Sequence, residues 1–258
     1  MRNFFLKVFF VILAFLIIPI KRASSQDEYI LYDIKKSESD AFTQGLELNE
    51  DGQIVMATGL YGESKIGILD QNSGQFNTID QLDDYYFGEG ITFTPDALWQ
   101  LTWKENTVFK RDPDTYDIID ILNYEGEGWG LAYDDKLNII WMSDGSHIIQ
   151  KRNSKDFELI DTIEIYFNNL AVENINELEY ANGYLYANVW YTNKIIAINT
   201  ITGEIDYQYD MTELISNNLS KEQLESIDTL NGIAHIRDNR FYITGKYYPV
   251  IFEVELKR

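Results

Sequence analysis

After residue 28 the chain is a succession of short runs in which apolar and polar side chains alternate and which end at Gly, Asn, Asp or Ser. Runs of this kind are typical of half-buried β-strands that are bounded by tight turns. They fall into groups of four strands with a repeat of roughly 40–50 residues, which is the pattern of a propeller. We therefore predict an all-β fold, a five-bladed β-propeller.

Each predicted blade begins with one motif that recurs with a variable position. The five segments are FTQGL (42–46), FGEGI (87–91), GWGL (128–131), INEL (175–178) and LNGI (230–233). The variable position, called the slot here, holds Gln44, Glu89, Trp129, Asn176 and Asn231. The fourth segment has Glu177 where the others have Gly. Because the scaffold retains the residues that pack, a varying slot indicates side chains that face a functional pocket.

Two segments fall outside the regular blades. Blade five has only three predicted strands, which leaves exposed edges that invite pairing with other chains. Segment 29–35 (YILYDIK) is strand-like and belongs to no blade, so we predict that it supplies the missing strand and closes the ring. Segment 211–229 breaks the pattern between blades four and five. Ser220 followed by Gln223 fits a capping box, which predicts a short helical insertion there.

The N-terminus is typical of a targeting segment. Residues 4–20 are apolar except for Lys7, and small residues follow at 23–25. A cleaved signal peptide and an uncleaved anchor both fit, although residues 8–20 are shorter than the roughly 20 needed to span a bilayer. We expect residues 1–25 to be this segment and 26–258 to be a single propeller domain. Either way the protein is expected to be exported, either periplasmic or secreted, and residues 4–20 are its membrane anchor if the segment is not cleaved.

Charge and composition exclude several function classes. The formal net charge is −21, and the first 25 residues hold four cations and no acid, so the remainder carries about −25. Such a surface repels nucleic acid, and no basic patch offsets it. The absence of Cys excludes a thiol nucleophile, a Cys-based zinc site and a disulfide framework. We expect a monomer.

The predicted topology brings candidate site residues to one mouth of the propeller. In an antiparallel blade, the start of strand one and the end of strand two lie at the same end. The slot residues are therefore joined by Trp103, Trp190 and Lys246, which follow predicted second strands. Burial among aromatic rings raises the pKa of Glu89, whereas a nearby Lys lowers it, and the sequence leaves open which effect is larger. Trp99, Trp141 and the two His residues are expected to be structural.

Several ordered motifs carry a family resemblance that spans about residue 26 to the C-terminus. They are FTQGLEL (42–48), TGLYGES (58–64), YFGEGITF (86–93), LTWKENTVF (101–109), GWGLAYD (128–134), INELEYANGYLYANVWYTNKI (175–195), LNGIA (230–234) and ITGKYYP (243–249). Together they resemble the plant-type glutaminyl-peptide cyclotransferases, which also occur in bacteria. The resemblance implies a five-bladed propeller that converts the N-terminal Gln of peptides to pyroglutamate and releases ammonia.

The resemblance also implies roles for individual residues and no cofactor or metal. Glu89 is the implied catalytic acid/base. The implied substrate-binding residues are Phe42, Gln44, Phe87, Trp103, Trp129, Asn176, Trp190 and Lys246. The implied partners are peptides or proteins with an N-terminal Gln. Tyr248 departs from the family, which often has Trp at that position.

Two functions from other classes remain open at this point. A calcium-dependent propeller hydrolase, such as a lactonase, needs several oxygen ligands on the axis. The slots offer Glu89, Asn176 and Asn231, with Glu177 as the only second acid. A non-catalytic propeller that binds peptides or glycans through its Trp residues also fits the pattern. Resistance to EDTA and release of ammonia from a Gln dipeptide distinguish these possibilities.

Overall fold

The computed structural model describes residues 28–37 and 40–258, which form antiparallel β-sheets arranged as five blades. β1 (Tyr29–Lys36) comes first in the chain. Blade one is β2 (Thr43–Leu48), β3 (Ile54–Thr58), β4 (Lys65–Leu69) and β5 (Phe76–Gln81). Blade two is β6 (Gly88–Thr94), β7 (Ala97–Thr102), β8 (Thr107–Arg111) and β9 (Ile118–Asn123). Blade three is β10 (Leu131–Asp134), β11 (Ile139–Met142), β12 (Ile148–Asn153) and β13 (Leu159–Glu164).

The second half of the chain completes the ring. A hairpin of β14 (Tyr166–Phe167) and β15 (Leu170–Ala171) precedes blade four. Blade four is β16 (Ile175–Ala181), β17 (Tyr184–Val189), β18 (Lys194–Asn199) and β19 (Ile205–Asp210). Two helices follow, α1 (Thr212–Asn218) and α2 (Lys221–Ser226), and then β20 (Leu230–Arg237), β21 (Arg240–Gly245) and β22 (Val250–Leu256). The predicted five-bladed all-β fold is confirmed.

The N-terminal strand closes the ring, as predicted. The sheet order of blade five is β1-β22-β21-β20, so β1 is the outer strand. β1 pairs antiparallel with β22 from Tyr29 opposite Leu256 to Lys36 opposite Val250, with an irregularity between Leu31 and Asp33. The last blade is therefore held by hydrogen bonds between the two ends of the described chain.

The first strands of the five blades contact one another around the axis. Their approach is so close that a side chain does not fit at the repeated Gly. A Cβ atom on Gly90 would lie 2.7 Å from Gly130 Cα, and one on Gly130 would lie 2.3 Å from the Asn176 carbonyl oxygen. The slot side chains beside these glycines are consequently brought together near the axis.

Glu177 replaces the repeated Gly in blade four and connects three blades. Its buried carboxyl group accepts hydrogen bonds from the backbone N–H groups of Leu46 in β2 (3.2 Å) and Ile233 in β20 (2.8 Å). Both oxygens of Glu177 thus have backbone partners in blades one and five. Its role at the axis is structural.

Apolar residues fill the spaces between neighbouring blades. Each of the five core clusters contains side chains from two adjacent sheets. Trp99 and Trp141 are fully buried in this packing, and Trp99 stacks on Phe157 with ring centroids 5.2 Å apart. These two Trp residues therefore serve the core, as expected from their positions inside second strands.

The helical insertion is confirmed, and it contains one more helix than the sequence predicts. Ser220 caps α2, and Gln223 completes the reciprocal capping box. α1 has no side-chain cap, since Met211 is at its N-cap position, so it lacks that sequence signal. The predicted targeting segment at residues 1–25 lies outside the described residues. Within the described part of the chain, the helices are too short or too polar to cross a membrane.

The pairing of β1 with β22 makes a truncation test possible. We expect that deletion of residues 1–27 leaves the melting temperature nearly unchanged, because β1 is retained. Deletion of residues 1–36 removes the outer strand and exposes β22, so we expect a loss of about 10 °C or more, or aggregation. Thermal unfolding of the two truncations checks this. Equal melting temperatures would show that β1 contributes little to closing the ring.

Candidate active site

One cavity of about 210 Å³ collects all nine residues predicted for the site. Three of them lie within first strands: Gln44 in β2, Glu89 in β6 and Asn176 in β16. Phe42, Phe87 and Trp129 shortly precede first strands, whereas Trp103, Trp190 and Lys246 directly follow second strands. This is the arrangement expected from antiparallel blades around a common axis. Leu60, which the sequence did not indicate, completes the lining.

Five aromatic rings surround the cavity and are called the aromatic belt here: Phe42, Phe87, Trp103, Trp129 and Trp190. Phe87 contacts Phe42 and Trp103 edge to face, at centroid distances of 6.1 and 5.5 Å. Trp129 meets Trp190 at 5.2 Å with an interplanar angle of 89°. Such edge-to-face pairs favour a fixed ring geometry. The belt gives the cavity an apolar wall that limits access of water.

Lys246 lies between the two ends of the belt. Its Nζ atom is 4.4 Å from the centre of the Phe42 ring and 5.5 Å from that of Trp190. The residue is only 3% exposed. A cation in this position interacts favourably with the ring faces, which partly offsets the loss of water.

A carboxylate that the sequence did not indicate connects the two indoles on the opposite side. Glu127 Oε2 accepts hydrogen bonds from Trp103 Nε1 at 2.8 Å and from Trp129 Nε1 at 3.1 Å. In the sequence, Glu127 lies in an acidic, Gly-containing loop (YEGEG) that is typical of an exposed turn. An indole N–H group in a site usually needs a hydrogen-bond acceptor, so the two predicted site residues Trp103 and Trp129 were the signal that an acceptor lies near them.

A chain of amides fixes the orientation of Glu89 at the floor of the cavity. Asn231 donates through Nδ2 to Gln44 Oε1 at 3.2 Å, and Gln44 in turn donates through Nε2 to Glu89 Oε1 at 2.9 Å. Asn231 also donates to the Thr43 carbonyl oxygen, which holds its own amide in place. Asn231 therefore contributes through Gln44 and does not line the cavity itself.

The environment of Glu89 favours its protonated form. Burial raises the pKa of Glu89 well above its ordinary value of 4.5. The Lys246 charge opposes this shift, whereas the nearby Glu105 and Glu127 carboxylates add to it. Desolvation is the largest effect, which answers the question that the sequence left open. Glu89 is therefore a carboxyl group that keeps its proton to a higher pH than an exposed glutamate does.

The same burial acts on Lys246 in the opposite direction. Desolvation lowers the pKa of Lys246 below 10.5, although the Glu89 and Asp228 charges oppose the change. The floor of the cavity thus places an acid and an amine whose pKa values are both shifted toward neutrality. Groups of this kind exchange protons with a substrate more readily than ordinary Glu and Lys side chains.

Asn176 offers an unused acceptor to the cavity. It is 3% exposed, and its Oδ1 atom has no hydrogen-bond partner among the described residues. An unsatisfied buried amide oxygen lowers the stability of the protein. A ligand N–H group that pairs with this oxygen therefore adds to the binding free energy. Asn176 can therefore recognise an amine or amide N–H of a ligand.

The mouth of the cavity contains backbone in a left-handed conformation. Leu60, Tyr191 and Tyr247 have φ values of 84°, 63° and 63°. Tyr191 and Tyr247 directly follow Trp190 and Lys246, and Leu60 itself lines the cavity. This conformation costs a non-glycine residue on the order of 1–2 kcal/mol. Strain of this kind is common where a backbone turn directs side chains into a site.

The two His residues lie elsewhere and have their own partners. His147 Nδ1 is 2.9 Å from a carboxylate oxygen of Glu173, and His235 Nε2 is 2.9 Å from the Asp238 carbonyl oxygen. Across residues 28–37 and 40–258, no group of three or more His, Cys, Asp or Glu side chains is arranged to hold a metal ion.

Comparisons with known proteins agree with the geometry. The sequence matches the glutamine cyclotransferase family over residues 12–256. A glutaminyl-peptide cyclotransferase from Arabidopsis thaliana is 33% identical over 226 residues, covering 85% of this chain and 68% of the relative. The structure of glutaminyl cyclase from Myxococcus xanthus aligns with a TM-score of 0.76 at 28% identity, covering 89% of this chain and 97% of that one.

A more distant likeness concerns the fold alone. A gluconolactonase from Xanthomonas campestris aligns with a TM-score of 0.53 at 14% identity, covering 84% of this chain and 73% of that one. It shows that the propeller architecture is shared with enzymes of other chemistry.

The lowered pKa of Lys246 predicts how stability changes with pH. Between the folded-state pKa and 10.5, the unfolded chain holds the Lys246 proton and the folded protein does not, so stability rises with pH. Relative to Lys246→Met, the free energy of unfolding of the parent should therefore increase toward pH 10, with a limiting slope of about 1.4 kcal/mol per pH unit. Urea unfolding at several pH values measures this.

The control for the Lys246 exchange is Lys104→Met, which removes a half-exposed cation from the rim of the same site. For Lys104→Met, the free energy of unfolding should change with pH in the same way as that of the parent. If the free energy of unfolding of Lys246→Met also changed with pH in the same way as that of the parent, this would contradict the buried, desolvated environment assigned to Lys246.

Proposed function

This chain belongs to the glutamine cyclotransferase family, and on that premise we propose that it converts the N-terminal Gln of peptides to pyroglutamate, with Glu89 transferring the proton. The observation that carries the proposal is the placement of Glu89. It is a buried carboxyl group with a raised pKa, held by Gln44 at the floor of an aromatic cavity. A general acid/base is most effective when its pKa lies close to the pH at which the enzyme works, and the pKa of Glu89 is shifted in that direction.

The proposed reaction is an internal acyl transfer. The uncharged α-amine of the substrate attacks the side-chain carboxamide carbon, and the new C–N bond closes a five-membered ring. The bond from that carbon to the amide nitrogen then breaks. Because an amide anion is a very poor leaving group, this nitrogen must be protonated before it departs as ammonia. The proton lost by the attacking amine balances the one gained by the leaving nitrogen.

Glu89 is positioned to carry that proton in two steps. Its ionised form accepts a proton from the attacking amine, and the resulting acid donates it to the leaving nitrogen. The raised pKa of Glu89 makes it a stronger base when ionised than an ordinary glutamate. The α-amine of a peptide has a pKa of about 7.7–8, so the neutral nucleophile becomes available as the pH rises through this range.

The remaining cavity residues bind and orient the flexible substrate. Asn176 can accept an N–H of the substrate through its unpaired Oδ1 atom. Lys246 can donate to the oxygen that becomes negative when the amine attacks. The aromatic belt holds the Gln side chain folded toward its own amine, which raises the rate by proximity.

The alternative functions lack comparable support. Several oxygen ligands are needed for a calcium-dependent hydrolase, but both carboxyl oxygens of Glu177 accept backbone hydrogen bonds. The likeness to a gluconolactonase is one of fold. A propeller that only binds peptides would account for the aromatic belt and not for the proton-holding carboxyl group at its floor.

Two further parts of the proposal are supported by the sequence alone. The substrates are peptides or proteins with an N-terminal Gln that reach the enzyme outside the cytoplasm. The apolar segment at residues 4–20 would direct this export and would be either removed or kept as an anchor. Mass determination of the N-terminus of the protein isolated from its host distinguishes the two.

Glu89→Gln provides the direct test of the chemistry. The exchange is nearly isosteric and removes the transferable proton, so we expect kcat to fall at least about a hundredfold while the fold is retained. The assay measures ammonia and the matching mass loss of a Gln-initiated peptide. The same peptide with an acetylated N-terminus is the substrate control, because it has no free amine to attack.

Three results would count against the proposal. If the activity of Glu89→Gln lay within about tenfold of that of the parent, Glu89 would not be the group that transfers the proton. Ammonia release from the acetylated peptide would indicate simple amide hydrolysis. Loss of activity in EDTA that returns with calcium would favour the hydrolase.

A further inference from the structure

The aromatic belt has two places where neighbouring rings are joined by a side chain of another kind: Lys246 lies between Phe42 and Trp190, and Glu127 lies between Trp103 and Trp129. Ring-to-ring contacts link Phe42 to Phe87, Phe87 to Trp103, and Trp129 to Trp190. Between Trp103 and Trp129 the connection runs through Glu127, whose Oε2 atom accepts both indole N–H groups. This connection crosses from blade two to blade three. The spacing of these two Trp rings thus depends on the Glu127 carboxylate.

The loop that carries Glu127 is hydrogen-bonded to the turn between β7 and β8 of blade two. Gly128 donates its backbone N–H to the Trp103 carbonyl oxygen at 2.9 Å. Asn106 accepts from the backbone N–H of Tyr124 and donates through its side chain to the Gly126 carbonyl oxygen at 2.6 Å. The backbone is therefore held by hydrogen bonds on both sides of Glu127, which limits how far its carboxylate can move relative to the rings.

We propose that Glu127 is a positioning residue of the active site: its carboxylate bridges the indole N–H groups of Trp103 and Trp129 and sets the width of the wall against which the substrate Gln folds. This proposal rests on the proposed cyclisation as far as it concerns turnover. The bridge itself is a property of the folded protein and can be observed without substrate.

The chemistry of the bridge suits this role. A carboxylate oxygen accepts two N–H donors and forms stronger hydrogen bonds than a neutral acceptor. Lys104 supports the arrangement from outside, because its Nζ atom is 3.6 Å from Glu127 Oε1 and 3.6 Å from the centre of the Trp103 ring. The Glu127 side chain is 40% exposed, so without it both indole N–H groups would turn to water as their acceptor and the bridge between the two rings would be lost.

Glu127 also acts on Glu89 through its charge. Its negative charge contributes to the raised pKa of Glu89, although less than burial does. The acceptor role and the charge role can be separated by substitution. Gln at position 127 keeps an acceptor oxygen for the indoles and removes the charge, whereas Leu removes both at similar volume.

The test compares Glu127→Gln, Glu127→Leu and the same-loop control Glu125→Leu, in which an exposed glutamate is replaced. Near-ultraviolet circular dichroism reports the packing of the Trp rings, and steady-state kinetics with a Gln dipeptide gives KM and kcat over a range of pH. We expect Glu127→Leu to change the Trp spectrum and to raise KM about tenfold. Glu127→Gln should keep the spectrum and a KM within about threefold.

The pH profile provides a signature that a purely structural role would not produce. Removal of the charge in Glu127→Gln should move the acid limb of kcat/KM to lower pH, since the pKa of Glu89 falls. Glu125→Leu should resemble the parent in spectrum, KM and pH profile.

Two results would overturn the proposal. One is a Glu127→Leu variant with the parent spectrum and KM, and the other is a Glu127→Gln variant as impaired as Glu127→Leu. If the parent protein releases no ammonia from Gln peptides, the proposed function fails, and the spectra of the three variants still decide whether the bridge positions the rings.

Discussion

The close approach of the first strands around the axis is the constraint on which the rest of the structure depends. At Gly90 and Gly130 the neighbouring blade leaves no room for a side chain. Where blade four has Glu177 instead, its carboxyl group ties β16 to the backbones of β2 and β20. This packing brings one slot residue from each blade within reach of the others, and the strand ends that follow add Trp103, Trp190 and Lys246 to the same mouth.

The closeness of the strands also accounts for the electrostatics of the site. Little water reaches the floor of the cavity, so burial shifts the pKa of Glu89 upward and that of Lys246 downward. Hydrogen bonds hold the groups in place: Asn231 orients Gln44, and Gln44 orients Glu89. The proposed chemistry needs this combination, because the carboxyl group must exchange a proton readily and must face the substrate.

Sequence patterns predicted the features that repeat or have a local signal. The recurring Gly motif predicted the blades, the unassigned segment 29–35 predicted the closing strand, and the Ser220–Gln223 pair predicted α2. The hairpin of β14 and β15 was missed because strands of two residues have no period. Leu60 and Glu127 were missed since their roles arise from a left-handed backbone and from contacts between blades. Neither a left-handed backbone at Leu60 nor a contact between blades can be recognised from a single stretch of sequence.

The central claim is that the folded protein keeps a proton on Glu89 at pH values where an exposed glutamate is ionised. Carbon-13 NMR of protein labelled at the glutamate side-chain carboxyl carbons tests it, and the signal missing from Glu89→Gln identifies Glu89. We expect this signal to titrate well above 4.5, with a further upward shift in Lys246→Met, where the opposing positive charge is removed. A signal that titrates at or below 4.5 in the parent would contradict it.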